Sequence, residues 1–298
     1  MGPIYNETGN KELSEKVERA YDRLKSCDLC GNACGVNRLE GETGKCGASL
    51  KLRVSSANAH FGEEGPLVGT GGSGTIFLSY CPMACVYCQN WRISQEGIGV
   101  NKSEKEFAEL MISLQERGCH NINWVTPTHY IPQLLRSLEV ARNRGLKIPI
   151  VYNTGGYDSP DILKMLEGIV DIYMPDIKYG SDEKGRIYSG VKNYWTVARK
   201  NLEEMYRQVG DLHVDESGLA ERGLLVRHLL LPGDVSGTEK VLDFIVESIS
   251  KETYINIMSQ YRPCYKADGY EELNRSVSSE EVEKTRKKAR KLGLKRGF

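Results

Sequence analysis

Six short apolar segments alternate with six amphipathic segments from residue 74 to the C-terminal region of the chain. The apolar segments predict β-strands and read GTIFLSY (74–80), NINWVTP (121–127), IPIVYNTGG (148–156), VDIYMPDIK (170–178), GLLVRHLLLPG (223–233) and YINIMSQY (254–261). The segments with helical periodicity lie at 103–118, 130–145, 159–168, 195–210, 237–251 and 278–293. This alternation predicts the α/β class, with a parallel sheet covered by helices. An open doubly wound sheet and a barrel both fit the order.

The charged side chains balance, with 40 Lys and Arg against 40 Asp and Glu. A nucleic-acid-binding module is disfavoured, because phosphate binding requires clustered positive charge. No apolar run approaches the roughly 18 residues that span a bilayer, and the N-terminal region lacks the apolar core of a signal peptide. We therefore expect a cytoplasmic protein with no nucleic-acid or membrane partner.

Nine cysteines are many for a protein that is expected to be cytoplasmic. In a reducing compartment, clustered cysteines indicate metal binding rather than disulfides. Seven of the nine fall into two groups, and Cys119 and Cys264 stand alone. Lone cysteines are typically small buried apolar residues.

The second cysteine group, Cys81, Cys85 and Cys88, follows the first predicted strand directly. Sites in parallel α/β sheets collect at the carboxyl ends of the strands. Three thiolates can hold three corners of a cubane iron–sulfur cluster, which leaves the fourth iron open. A closed zinc site would need a fourth Cys or His, and the loop contains none.

The loop CPMACVYC resembles the C-x3-C-x-φ-C motif (φ, aromatic) of the radical S-adenosylmethionine (SAM) superfamily. The resemblance spans residues 74–261 and is nearest to the pyruvate formate-lyase activating enzymes and the poorly characterised iron–sulfur proteins grouped with them. It implies a partial (β/α)6 barrel of the TIM type and a [4Fe-4S] cluster whose open iron binds SAM. It also implies a reductant such as ferredoxin or flavodoxin, and cleavage of SAM to a 5′-deoxyadenosyl radical that abstracts hydrogen from a substrate.

The same resemblance assigns roles to individual residues. A D-x-K motif closes the fourth strand as Asp176 and Lys178, and period-two alternation puts both on one face of that strand with Met174. This pair would suit the zwitterionic end of SAM, although a solvent-facing ion pair is the alternative. Arg227, in the apolar run that ends in Pro-Gly, would contact a carboxylate. Tyr87, the loop aromatic, would lie near the SAM adenine.

The second strand departs from the activating-enzyme pattern. Those enzymes typically have a Gly-Gly-Glu-like turn that receives the SAM amino group, whereas this chain has VTPTHY. Thr126 and Thr128 would offer oxygen acceptors from that place. Asn153, near the end of the third strand, would contact ribose or substrate, or would make the turn. His228 would point away from Arg227, as a packed histidine.

The first cysteine group has the spacing C-x2-C-x3-C-x11-C over Cys27, Cys30, Cys34 and Cys46. Four cysteines complete a tetrahedral set without outside ligands, so an auxiliary iron–sulfur cluster and a structural zinc both stay open. The predicted division is a cysteine-rich extension at 1–73, with an N-terminal helix, and a core barrel with a C-terminal helix at 74–298.

The leading functional hypothesis is a radical SAM enzyme whose substrate is a glycyl radical enzyme, another peptide or a small metabolite. An activating enzyme predicts a groove that admits a protein loop, and a small substrate predicts a closed polar pocket. A non-enzymatic iron–sulfur electron carrier is the alternative of another class. It would leave the inward pair Asp176 and Lys178 unexplained.

Overall fold

The computed structural model describes residues 2–298. In this range the strands are β1 (Leu52–His60), β2 (Ser73–Leu78), β3 (Val100–Lys102), β4 (Ile122–Val125), β5 (Ile150–Thr154), β6 (Ile172–Pro175), β7 (His213–Val214), β8 (Ala220–Leu229) and β9 (Tyr254–Met258). The helices are α1 (Asn10–Asp22), α2 (Gly65–Val68), α3 (Trp91–Ser94), α4 (Glu104–Glu116), α5 (Ile131–Asn143), α6 (Pro160–Met165), α7 (Asp182–Ser189), α8 (Tyr194–Val209), α9 (Thr238–Phe244) and α10 (Ser279–Lys291). A π-helical turn, Ile245–Ile249, continues α9.

The six predicted strands pair in parallel, in the order β2-β4-β5-β6-β8-β9. No pairing joins β2 to β9 among residues 2–298, so the ring of strands is not closed. The predicted partial (β/α)6 barrel is therefore confirmed. Three strands were not predicted: β1 pairs antiparallel with β2, β3 with β1, and β7 with β8.

The helices form as their end signals predict. Ser103 caps α4 in a capping box with Glu106, and Gly118 follows this helix at φ +85°, a conformation that glycine adopts without strain. Ser159 precedes α6, whose first residue is Pro160. The outer helices bury their apolar faces against the sheet in one large core. No helix among residues 2–298 is long and apolar enough to cross a bilayer.

A second, smaller apolar cluster fills part of the barrel interior. It contains Leu67, Val151, Ile172, Met174, Leu212, Ala220 and Leu225. Leu67 comes from α2, in the segment that joins β1 to β2, and it is fully buried. This segment therefore folds back into the interior, where it supplies side chains that the six parallel strands alone would not.

The N-terminal extension packs against the barrel. Helix α1 lies on α5, and the Thr8 hydroxyl donates to the Gly168 carbonyl at 2.7 Å. The Gly31 amide donates to the Tyr157 carbonyl at 3.0 Å, and the Gly31 carbonyl accepts from the Tyr157 hydroxyl at 3.0 Å. A Cβ on Gly31 would lie 2.6 Å from the Tyr157 ring, so the close approach requires glycine. The boundary at residue 73 stays a prediction, and β1 of the extension belongs to the sheet.

Candidate active site and second cysteine set

The three-cysteine loop begins directly after β2, at the carboxyl end of the parallel sheet. Cys85 is buried, and Cys81 and Cys88 are half-buried. Backbone hydrogen bonds fix the loop, because the Ala84 amide donates to the Ser189 carbonyl at 2.9 Å and the Val86 amide donates to Tyr188 at 2.8 Å. The structure therefore brings the three predicted ligands together in one ordered loop.

Each thiol of this loop has a polar neighbour. The Met83 amide donates to the Cys81 sulfur at 3.4 Å. The Ser189 hydroxyl lies 2.9 Å from the Cys85 sulfur, and the Ser94 hydroxyl lies 3.2 Å from the Cys88 sulfur. Such groups stabilise thiolate sulfur in iron–sulfur sites.

Without a metal, burial holds the thiols of Cys81 and Cys85 in the protonated form. Burial is the largest cause that raises the pKa of Cys81 and Cys85, and the nearby charge of Lys178 opposes it. Metal binding would displace these protons. Three soft sulfur ligands with hydrogen-bond partners fit an iron–sulfur cluster.

The D-x-K pair lies on the inner face of the sheet, next to this loop. The Lys178 ammonium lies 2.8 Å from Asp176 Oδ2, and Arg227 Nε lies 2.8 Å from Asp176 Oδ1. Burial alone would raise the pKa of Asp176, but Arg227 and Lys178 outweigh it and lower the pKa to about 2. Asp176 is thus a half-buried carboxylate that is ionised at neutral pH. The alternative of a solvent-facing ion pair is not what the structure shows.

Arg227 connects three strands. Its Nε contacts Asp176 beyond β6, and its Nη2 donates to Asn153 Oδ1 on β5 at 2.7 Å. Its Nη1 lies 3.5 Å from Glu63 Oε2. The rigid guanidinium fork suits this multiple contact.

A polar cavity of about 270 Å³ lies inside the barrel beside Arg227. Its walls include Phe77, Val125, Asn153, Arg227, Asn256 and Met258 from the parallel strands, with His60 from the end of β1 and Glu63, Glu64, Asn90 and Gln260 from loops. Asn153 therefore lies where the sequence placed it, at the site. Its contact with ribose or substrate stays a prediction.

The two threonines of VTPTHY have different environments. Thr126 is half-buried at φ +60°, and its amide donates to the Asn153 carbonyl at 2.8 Å. The Thr128 hydroxyl is buried and donates to Asp158 at 2.6 Å, in a network that includes Thr154. Donation to Asp158 leaves the acceptor lone pairs of this hydroxyl, so the role of Thr128 as an oxygen acceptor stays a prediction. Thr126 stays a prediction.

Tyr87 is buried among aromatic rings. Its hydroxyl donates to Tyr179 at 2.7 Å, and its ring makes edge contacts with Tyr179 and Tyr261. The ring is thus held rigidly beside Cys88, and its contact with adenine stays a prediction. His228 is buried on the opposite face from Arg227, where it contacts the Ile177 carbonyl and Thr238, as a packed histidine would.

Two acidic residues of the cavity were missed by sequence reasoning. Glu63 and Glu64 have nearly buried side chains, and Asn256 donates to Glu64 Oε1 at 2.9 Å. Burial raises the pKa of Glu63, although Arg227 opposes this. The segment lies in a loop before the first predicted strand, and no periodicity marks it as part of the interior.

The four-cysteine set is also assembled in one region, and its members interact electrostatically with one another. Cys27 and Cys30 are buried, Cys46 is half-buried and Cys34 is exposed. Burial raises the pKa of Cys30 to about 12. A Cβ on Gly44 would lie 2.3 Å from the Cys34 sulfur, so this glycine gives the thiol its space.

The lone cysteines differ from each other. Cys119 is buried, as expected for a small apolar residue. Cys264 is half-buried, and its thiol contacts the Tyr87 carbonyl at 3.1 Å, inside the three-cysteine loop. Its position near the site has no signal in the sequence.

Comparison with known families identifies the class. The model of the radical SAM superfamily matches residues 75–245, which include the three-cysteine loop and five of the six parallel strands. The chain belongs to the radical SAM superfamily. A relative from Methanocaldococcus jannaschii, described as "Uncharacterized protein MJ0674", is 34% identical over 292 residues, 95% of this chain and 79% of that protein.

Solved structures with similar folds include SuiB of Streptococcus suis bound to S-adenosylmethionine. That comparison covers 70% of this chain and 44% of SuiB, at 11% identity and a TM-score of 0.48. The structure of TYW1 with a lysine-pyruvate adduct bound matches 73% of each chain, at 12% identity and a TM-score of 0.45. The chain thus covers less than half the length of SuiB.

Proposed function

We propose that this protein is a radical SAM enzyme that cleaves SAM reductively and abstracts hydrogen from a small polar substrate. The observation that carries the first part is the ordered loop of Cys81, Cys85 and Cys88 beside the inward pair Asp176 and Lys178. When bound at this loop, a [4Fe-4S] cluster and SAM supply the 5′-deoxyadenosyl radical. The chain itself positions the ligands and excludes water.

The charged residues of the interior have separate tasks in this proposal. The Lys178 ammonium is held by Asp176 and faces the three-cysteine loop, where it would pair with the SAM carboxylate. Arg227 is held by Asp176 and Asn153, so its remaining guanidinium face would orient a ligand in the cavity. Buried charges that are already paired need little reorganisation when a ligand binds.

The cavity supports a small substrate. Ligand pockets for small molecules have volumes of roughly 300–1,000 Å³, and this cavity of about 270 Å³ lies at the lower end. Its walls carry carboxylates, amides and a guanidinium, which favour a polar molecule. Activation of a glycyl radical enzyme is a second candidate, because the loop and the D-x-K pair resemble those of activating enzymes.

The proposal extends to partners and the second cysteine set. A low-potential protein such as ferredoxin or flavodoxin would supply the electron, in a cytoplasmic setting. The four-cysteine set would hold an auxiliary cluster or zinc. A non-enzymatic electron carrier would not need the half-buried charges of Asp176, Lys178 and Arg227, because removing charge from water costs free energy.

One assay tests this function. The protein is reconstituted without oxygen with iron and sulfide, reduced in the presence of SAM, and examined for 5′-deoxyadenosine. We expect 5′-deoxyadenosine and methionine in equal amounts, and a faster rate with the low-molecular-mass fraction of a cell extract than with the protein fraction. No product from loaded, reduced protein would contradict SAM cleavage. Acceleration by the protein fraction alone would favour the activating enzyme.

A further inference from the structure

A fully buried arginine lies beside the four-cysteine set. Arg38 has no exposed surface, and its Nη1 and Nη2 donate to the carbonyls of His129 and Ser49, at 2.6 and 2.5 Å. In residues 2–298 its side chain has no carboxylate within ion-pair distance, and its Nε has no hydrogen-bond partner of ordinary geometry. The guanidinium carbon lies 5.8 Å from the centre of the Tyr130 ring.

Such a residue requires a negative counter-charge. Burying an unpaired charge costs several kcal/mol, and carbonyl dipoles offset only part of this cost. The positive charge of Arg38 lowers the pKa of Cys27 and Cys46, against the larger opposing effect of burial. Thiolates that are bound to a metal would supply the missing negative charge.

A second polar side chain links the two cysteine sets. The Asn32 amide donates to the Pro82 carbonyl at 2.8 Å, within the three-cysteine loop, and lies 3.6 Å from the Cys30 sulfur. The same two regions also pack closely at Gly47, where a Cβ would lie 3.2 Å from the Tyr80 ring. The four-cysteine set therefore touches the segment that begins the active-site loop.

The arrangement favours a cluster over a single ion. Structural zinc sites typically use two C-x2-C pairs, and the second half of this set offers only Cys46. The Asn32 amide lies near the Cys30 sulfur, and hydrogen bonds to sulfur are typical of iron–sulfur sites.

We propose that Cys27, Cys30, Cys34 and Cys46 hold a [4Fe-4S] cluster whose negative charge is balanced by the buried Arg38. Asn32 hydrogen-bonds the Cys30 sulfur and joins this centre to the three-cysteine loop. Arg38 and Asn32 are positioning residues, and they stabilise the reduced form because positive charge and hydrogen bonds at sulfur raise the reduction potential. This cluster specifies the metal of the second site in the proposed function, and its assembly does not depend on SAM cleavage.

Metal analysis of the full chain with Cys81, Cys85 and Cys88 all changed to Ala tests the site separately from SAM chemistry. We expect about four iron and four sulfide per chain, and their loss when Cys30→Ala is added. Zinc without sulfide, or no metal at all, would overturn the cluster. This result is independent of 5′-deoxyadenosine formation, so the failure of one proposal does not imply the failure of the other.

The role of Arg38 is tested by the potential of that cluster in the same triple-alanine background, followed by electron paramagnetic resonance. Arg38→Gln should shift the midpoint potential downward, and Arg38→Lys should restore most of the shift because it keeps the charge. Asn32→Asp should also lower the midpoint potential. This variant provides the test if Arg38→Gln does not fold. Equal potentials in the variants that fold would show that these residues only support the fold.

Discussion

Arg227 holds Asp176 across two parallel strands, with Nε 2.8 Å from the carboxylate oxygen Oδ1. The second carboxylate oxygen lies 2.8 Å from the Lys178 ammonium. Asp176 is thus a half-buried anion between two cations, and it sets the positions of both. Asp176 therefore positions Lys178 and Arg227 in the site, and this role does not require that its carboxylate contact SAM.

Asp176→Asn should destabilise the protein. The pKa of Asp176 is lowered from 3.8 to about 2, which corresponds to roughly 2 kcal/mol of unfolding free energy near neutral pH. Because the folded pKa is depressed, this contribution is present above about pH 4 and is lost as the pH falls toward 2. Urea unfolding of wild type and variant, followed by tryptophan fluorescence at pH 7 and pH 3, measures the difference.

The matched control is Asp161→Asn, because the Asp161 side chain is 67% exposed. It should leave the free energy of unfolding unchanged within about 0.5 kcal/mol. An Asp176→Asn penalty that is absent at pH 7, or that is as large at pH 3 as at pH 7, would contradict the charge-pairing account.

Arg227→Lys should weaken ligand binding without loss of iron. Lysine keeps the charge but cannot contact Asp176, Asn153 and Glu63 at once, as the guanidinium does. We expect unchanged iron content and at least a tenfold rise in the SAM concentration needed for half-maximal cleavage, about 1.4 kcal/mol. Arg144→Lys, at an exposed ion pair, is the control. If the two variants need the same SAM concentration for half-maximal cleavage, the Arg227 guanidinium has no role in SAM binding.

Gly44→Ala should deplete metal from the four-cysteine set. The new methyl group would lie 2.3 Å from the Cys34 sulfur, so the thiol must move. Iron per chain should fall by up to half, while SAM-dependent signals from the three-cysteine loop remain. Gly9→Ala, where a Cβ meets nothing within 4 Å, should keep the full iron content. Full metal content in Gly44→Ala would mean that Cys34 is not a ligand.

Glu64→Gln tests the cavity. The Glu64 carboxylate accepts from Asn256 and faces Arg227 at 4.0 Å, and the variant keeps its shape but removes its charge. SAM cleavage without substrate should be unchanged, whereas the acceleration by the low-molecular-mass fraction should fall at least tenfold. Glu280→Gln, in the exposed first turn of α10, is the control. If the acceleration persists in Glu64→Gln, the substrate does not contact this carboxylate.

The barrel could be predicted from the sequence because its strands are apolar and each is followed by a segment with helical periodicity. Period-two alternation put Asp176 and Lys178 on one face of their strand, and the two side chains lie 2.8 Å apart in the structure. The resemblance to a known family singled out Arg227, and the structure places it against Asp176.

The residues that were missed depend on long-range contacts. Glu63, Glu64 and Leu67 enter the interior from a loop, and Arg38 is buried by segments about 90 residues away along the chain. The hydrogen bond that the Thr128 hydroxyl donates to Asp158 is also long-range, since the two residues are 30 positions apart. No local pattern signals such contacts, since each is made by chain segments that are distant in sequence.

The central claim is that Cys81, Cys85 and Cys88 leave one iron open for SAM. Electron–nuclear double resonance of the reduced protein, with SAM carrying nitrogen-15 in its amino group, measures this directly. We expect a nitrogen-15 hyperfine coupling to the cluster in wild type and in Cys119→Ala, and none when the three loop cysteines are changed to Ala. A reduced cluster in the wild-type protein that shows no coupling in the presence of excess SAM would contradict the account.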